Sequence, residues 1–166
     1  MILAVDVFYY EDKGNIGGVV FENWSDAKPI VELTVKIDNI AKYESGSFYK
    51  RELPCILKLI EDHSLYPEFI IIDGYVFIDG FSKPGLGFYL YNSLYCKTPV
   101  IGVAKSYFKG IPPYCELLRG NSKRPLFITS IGINLELAKE YISKMHGKNR
   151  IPSLLKSVDQ LSRKIS

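Results

Sequence analysis

The sequence predicts a mixed-sheet α/β domain: an antiparallel three-stranded meander followed by parallel strands flanked by helices. Two observations predict it. Strand patterns open the chain with no helix between them, and after residue 52 apolar stripes of helical period alternate with short, nearly unbroken apolar runs. A third observation concerns where those runs stop. Ile2-Leu3-Ala4-Val5 ends on Asp6, and Phe69-Ile70-Ile71-Ile72 ends on Asp73. A carboxylate at the end of a buried strand is costly to place there without a partner.

The elements follow in order. Residues 1–10 read as a buried strand, and Gly17 to Phe21 should pair back on it behind the turn-prone Asp12-Lys13-Gly14-Asn15. In residues 29–38, Val31, Leu33, Val35 and Ile37 alternate with Glu32, Thr34 and Lys36, the period of a half-buried strand. Leu53, Ile56, Leu57 and Ile60 are spaced for a helix, with Pro54 in its first turn and Glu52 at its entrance. Residues 68–73 and 99–104 are central strands, and a helix over 85–95 supplies the crossover that parallel neighbours need. Phe127 to Ile131 is a further strand. Leu135, Ala138, Ile142 and Met145 mark a helix ended by Gly147, and Ile151, Leu154, Leu155, Val158, Leu161 and Ile165 mark the last one. With no repeat or long linker, residues 1–166 read as a single domain. The order of elements matches the ribonuclease H-like architecture, in which carboxylates from adjacent strands meet at metal ions; fold alone does not establish nuclease activity.

Composition narrows the chemistry. A net charge of +3 permits nucleic-acid binding without arguing for it. The 12 tyrosines offer faces on which bases stack, although most such rings pack at core edges. Cys55, Cys96 and Cys115 form no zinc spacing, and their odd number suits reduced thiols in a cytoplasmic protein. The reading expects no leader, no membrane span and a monomer. With only His63 and His146 present, a metal would be held by carboxylates, which favours Mg²⁺ or Mn²⁺.

Four segments together resemble the endonuclease V family, the deaminated-base repair nucleases. Val5-Asp6-Val7-Phe8-Tyr9 is similar to the family's first motif, placing its metal aspartate at Asp6. Tyr43 to Glu52 follows the pattern of a tyrosine wedge, a glycine and an Arg-Glu pair, which fall on Tyr43, Gly46, Arg51 and Glu52. Ile72-Asp73-Gly74 matches the second metal aspartate and its glycine. Thr98 to Ser106 matches most closely, with the family's lysine at Lys105, and Asn149-Arg150-Ile151-Pro152 is a weaker similarity. Three departures stand out. Ser45 replaces a proline of the wedge loop. The loop Tyr75 to Gly87 is longer, with Lys83-Pro84 in place of His-Pro. Ile133, in Ser130-Ile131-Gly132-Ile133, occupies the place of a catalytic histidine.

The resemblance implies a Mg²⁺-dependent endonuclease that recognises deaminated bases, especially inosine, in DNA or RNA and cuts 3′ to the lesion. Asp6 and Asp73 would ligate the metal, Glu52 would do so directly or through a water, and Lys105 would contact phosphate. Tyr43 would wedge into the base stack while Gly46, Gly74 and Ser106 meet the flipped base or its backbone. Lys83, Lys109, Arg119, Lys123 and Arg124 are further phosphate candidates, several of them plain surface. His146 as a stand-in histidine and Asp79 as an extra ligand each have a simpler reading, a helix-end histidine and a turn. The alternative function, resting on Ile133, is a catalytically impaired nucleic-acid-binding homologue; a more remote one is another ribonuclease H-like phosphoesterase. Strand-end aspartates that merely cap turns, and a solvated Lys105, are the bland counterparts of the site.

Overall fold

The computed structural model describes residues 1–40 and 48–164, and the side chain of Phe48 lies outside that description. Among the described residues seven strands form one sheet in the order β3-β2-β1-β4-β5-β7-β6. β1 (Ile2–Tyr10), β2 (Lys13–Phe21) and β3 (Val31–Ile37) are the expected antiparallel meander. Its first turn is tighter than the sequence suggests. Lys13, Gly14 and Asn15 pair with Tyr10, Tyr9 and Phe8, so only Glu11 and Asp12 turn the chain, with Glu11 at φ +55°. β1 therefore runs four residues past Asp6.

β4 (Phe69–Asp73) and β5 (Val100–Ala104) lie parallel to β1, and α2 (Leu86–Ser93) supplies the crossover between them. A two-residue β6 (Glu116–Leu117), not expected from the sequence, follows a single 3₁₀ turn and pairs with β7 (Leu126–Ile131), which runs antiparallel to β5. α1 (Phe48–Asp62) begins earlier than the pattern implies, so Pro54 falls inside it and Glu52 projects from its second turn, not its entrance. α3 (Leu135–Lys144) is capped by Asn134, whose side chain accepts from the backbone N–H groups of Glu136 and Leu137.

Both faces of the sheet are covered. α3 and α4 (Ser153–Ser162) bury Ile2, Ala4, Ile71, Ile101 and Val103 on one side. α1 and α2 bury Leu3, Val5, Ile70, Ile72 and Val100 on the other. Alternation along β1, β4 and β5 thus sends successive residues to opposite cores, which accounts for the near-continuous apolar runs.

Candidate active site

In the parallel register Val5 faces Ile72, and Asp73 faces Val103. Asp6, Asp73 and Lys105 therefore leave the sheet together at one end. Ala4, Ile71 and Val103 all point toward α3 and α4, so the residues two positions on, Asp6, Asp73 and Lys105, turn to that same side. Lys105 Nζ lies 3.5 Å from Asp73 Oδ2. Glu52 reaches the cluster from α1, within range of the charges of Asp6 and Asp73.

The fourth carboxylate is Asp159, which sequence reasoning missed. It hydrogen-bonds with Asp6 from α4. Gly17, the register partner of Asp6, gives α4 its room: a Cβ there would stand 3.0 Å from Ser162 N and 3.1 Å from Val158 O. The Asn15 side-chain amide then donates to the Ser162 carbonyl and fixes the end of the helix on β2. A signal was present in the sequence, since Asp159 lies four residues after Leu155 on the apolar stripe of the last helix.

The electrostatics of the cluster are unbalanced. Burial, the charge of Asp73 and the hydrogen bond with Asp159 push the Asp6 carboxyl up to about 7. Burial and the charges of Asp6 and Asp73 push Glu52 up to about 8. Crowding by protein raises Asp73 too, although Lys105 opposes it and its side chain is 38% exposed where it opens outward. Burial also pulls on Asp159, but hydrogen bonds with Asp6 and Arg163 outweigh it and hold this carboxyl below its ordinary value. The hydrogen bond between the two thus raises the Asp6 carboxyl and lowers that of Asp159.

A hard cation suits this donor set. Every donor is oxygen, and mutual repulsion would be relieved by positive charge. A void of about 20 Å³ bordered by Asp6, Asp73 and Lys105 has room for one water-sized occupant. As the side chains stand, no three His, Cys, Asp or Glu side chains among the described residues converge on a metal position. The Lys105–Asp73 pair and the Asp6–Asp159 hydrogen bond are the contacts that a cation would replace.

Beside the carboxylates opens a cleft of about 800 Å³ lined by Tyr49, Glu52, Gly74, Tyr75, Ser106 and Tyr107, among others. Gly74 leaves β4 at φ +140°, a conformation that side-chain-bearing residues rarely adopt, and open space lies where its Cβ would project. Tyr75 Oη donates to the Ser106 carbonyl at 2.6 Å. Tyr49 stacks on Tyr89 with ring centroids 3.8 Å apart, joining α1 to α2 at the rim.

The remaining sequence candidates separate cleanly. Tyr43 and Gly46 lie outside the described residues. Asp79 accepts from the backbone N–H groups of Phe81, Ser82 and Lys83, which makes it a turn residue. His146 Nδ1 lies 2.9 Å from Ser153 Oγ, beyond the end of α3. Arg119 is not a phosphate contact. It is 5% exposed, and its guanidinium donates to the carbonyls of Met145, Gly147 and Asn149. Ile133 requires a second correction. β7 is antiparallel to β5, with Ala104 opposite Phe127 and Val100 opposite Ile131. The segment after Ile131 therefore lies at the opposite end of the sheet from Lys105, where Ile133 packs against the α3–α4 core. A histidine there would not reach the carboxylates, so Ile133 is no measure of the site's competence.

The sequence model of endonuclease V matches residues 1–124. The chain belongs to the endonuclease V family. Endonuclease V of Petrotoga mobilis is 28% identical over 112 residues, 66% of this chain and 48% of that protein; the chain thus spans about half the length of the curated relative it matches. Among solved structures, endonuclease V of Ciona intestinalis, in complex with a 24mer DNA containing an inosine followed by a ribo-adenosine, superposes with a TM-score of 0.80 at 20% identity, covering 98% of this chain and 84% of that one. The Streptomyces avermitilis endonuclease V gives 0.75 at 26% identity, over 98% and 79% of the two chains. The family match ends before α4, so Asp159 joins the site through the fold alone.

Proposed function

We propose that this chain is a Mg²⁺- or Mn²⁺-dependent endonuclease that recognises deaminated bases, inosine above all, in DNA or RNA and hydrolyses a phosphodiester 3′ to the lesion. The observation that carries the reading is that Asp6, Glu52, Asp73 and Asp159 reach from four separate elements into mutual electrostatic range beside Lys105 and an open cleft. Family membership and the inosine-containing DNA held by the Ciona relative support the substrate class.

Asp6 and Asp73 would hold the metal, with Glu52 and Asp159 completing the oxygen set from either side. The metal, when bound, supplies charge neutralisation at the phosphoryl group and activation of water. Lys105 exchanges its contact with Asp73 for a phosphate oxygen. Glu52, at the edge of the cleft, would hold the metal directly or through a water, and the cation would offset the burial and the charges of Asp6 and Asp73 that raise its carboxyl. The cleft takes the extruded base against Gly74, Tyr75 and Ser106, with Tyr43 and Gly46 assigned to the wedge that opens the stack. No helix among the described residues is long and apolar enough to cross a membrane, and we take the protein to act as a monomer in the cytoplasm.

The test is incubation with single-inosine and unmodified oligonucleotides, as DNA and as RNA, in Mg²⁺, Mn²⁺ or EDTA. A single metal-dependent cut near inosine, absent for Asp73→Asn, is the expected result. Metal-independent cleavage, or cutting indifferent to inosine, would remove the proposal.

A further inference from the structure

β1 does not stop at the carboxylates. Asp6, Phe8 and Tyr10 alternate onto the same face of the strand, so Phe8 lies ~7 Å beyond Asp6 and Tyr10 one step further. Their rings stack with centroids 6.4 Å apart and an interplanar angle of 24°. Arg163, just past α4, places its guanidinium carbon 5.0 Å over the Phe8 ring while Nε holds Asp159 at 3.2 Å, and its side chain remains 58% exposed. Lys13 is the register partner of Tyr10, and Lys164 follows Arg163. The acids beside the patch are Asp159, paired with Arg163, and Asp6 on the same strand face, with Glu11 and Asp12 at the hairpin tip. Tyr9 turns the other way, under the Arg51 guanidinium.

This patch lies over β1 and β2, whereas the cleft lies over the loops that follow β4 and β5. In sheet order the carboxylates stand between the two. A nucleic-acid strand with one base in the cleft and its phosphate at the carboxylates would continue onto the aromatic pair. An apolar cover for the end of α4 would need neither the guanidinium at the ring nor the basic neighbours. Aromatic faces flanked by cations are what single-stranded nucleic acid binds, the base stacking and the phosphate pairing.

We propose that Phe8, Tyr10 and Arg163, with Lys13 and Lys164, form a second nucleotide subsite that stacks the unpaired base on the far side of the scissile phosphate from the cleft. The proposal rests on the nuclease reading for its register and on the patch itself for its ligand. A base stacked here has left its own helix, so the subsite favours a single-stranded or locally opened substrate over a closed duplex.

The experiment is an abasic scan. A fluorescein-labelled single-stranded oligonucleotide carrying one inosine is made with an abasic residue at each successive position, and binding is followed by anisotropy in EDTA. Wild-type protein should show one sensitive position outside the inosine itself, with affinity reduced about 5- to 100-fold, the span of one base stacked on an aromatic ring. Phe8→Leu with Tyr10→Leu, which keeps apolar bulk and removes the rings, should flatten that position alone. A flat wild-type scan, or a sensitive position that survives in the double variant, overturns the subsite. Should the double variant not fold, 5-iodouracil at the sensitive position of the wild-type complex should photocrosslink to the β1 peptide; crosslinks confined to other peptides overturn the proposal equally. Cleavage with Mn²⁺ is read separately. A sensitive position without cleavage leaves the subsite standing and removes the nuclease, and no binding to any oligonucleotide removes both.

Discussion

Two regions of this molecule bury charge, and they do it in opposite ways. Arg119 and Arg150 are each held by several backbone carbonyls, with Arg119 Nε left unpartnered among the buried groups. Arg119 donates to the carbonyls of Met145, Gly147 and Asn149, and Arg150 to those of Lys105, Arg124 and Pro125. Around Asp6 the anions are crowded by one another, and Lys105 is the cation paired with Asp73. Burial that ends in matched hydrogen bonds stiffens a fold, whereas burial that leaves like charges facing one another stores a demand for a ligand. The contrast separates a structural arginine from the carboxylates proposed to bind metal more sharply than exposure alone.

The strongest way to break that comparison is Asp6→Asn. Cleavage of a single-inosine oligonucleotide should fall on the order of 10³-fold or more, while the metal-free protein keeps or gains thermal stability because one member of a repelling set is gone. A melting temperature that drops with the activity would make Asp6 a structural residue like Arg119.

Arg119→Ala should do the reverse. The carbonyls of Met145, Gly147, Asn149 and Arg150 lose their shared donor, at a cost of about 3 kcal/mol or more, which for a domain of this size lowers the melting temperature by about 6–12 °C. Retained melting behaviour would show that water replaces the guanidinium without loss.

The pH dependence sharpens the comparison further. Asp6 and Glu52 start from ordinary values of 3.8 and 4.5 and rise to about 7 and about 8 in the folded chain. Between those limits the folded state binds more protons than the unfolded one, so stability falls as pH rises through the window. In EDTA the melting temperature should decline by a few degrees (about 2–4 °C per kcal/mol) from pH 5 to pH 8. Mn²⁺ should restore more of it at pH 8 than at pH 5. A flat profile in EDTA would mean that the carboxylates ionise without mutual hindrance.

The smallest effect is expected from Tyr75→Phe, which removes the hydrogen bond to the Ser106 carbonyl at the cleft wall. Stability should change by no more than ~1 kcal/mol, with KM for the inosine oligonucleotide raised and kcat nearly unchanged. An equal fall in both would place Tyr75 in the chemistry.

What the sequence made legible was whatever depends on short-range pattern. β1, β4 and β5 were readable as apolar runs because both of their faces are buried, and Asp6 and Asp73 stood out because they interrupt those runs. Glu52 and Lys105 were found through family motifs, since neither breaks a local pattern. Asp159 stayed hidden because its partner is a strand at the other end of the chain, and only the approach of α4 over Gly17 brings them together. Arg119 was misread for a related reason. An arginine in a loop looks solvated until the carbonyls of Met145, Gly147 and Asn149 are folded around it. The weight placed on Ile133 failed on strand direction, which a motif in isolation does not carry.

The hydrogen bond from Asn15 to Ser162 joins residues 147 positions apart, and the same docking event carries Asp159 to Asp6. A ribosome delivers these partners that many residues apart. The meander and Asp6 therefore emerge before α4, and Asp159 meets Asp6 only once α4 has been made and packs on β2. During translation the meander thus exists for an interval without the carboxylate that joins Asp6 from α4. For a protein proposed to act on RNA, that order is a safety catch, since the nascent chain beside its own messenger lacks one of the four proposed site carboxylates until α4 docks.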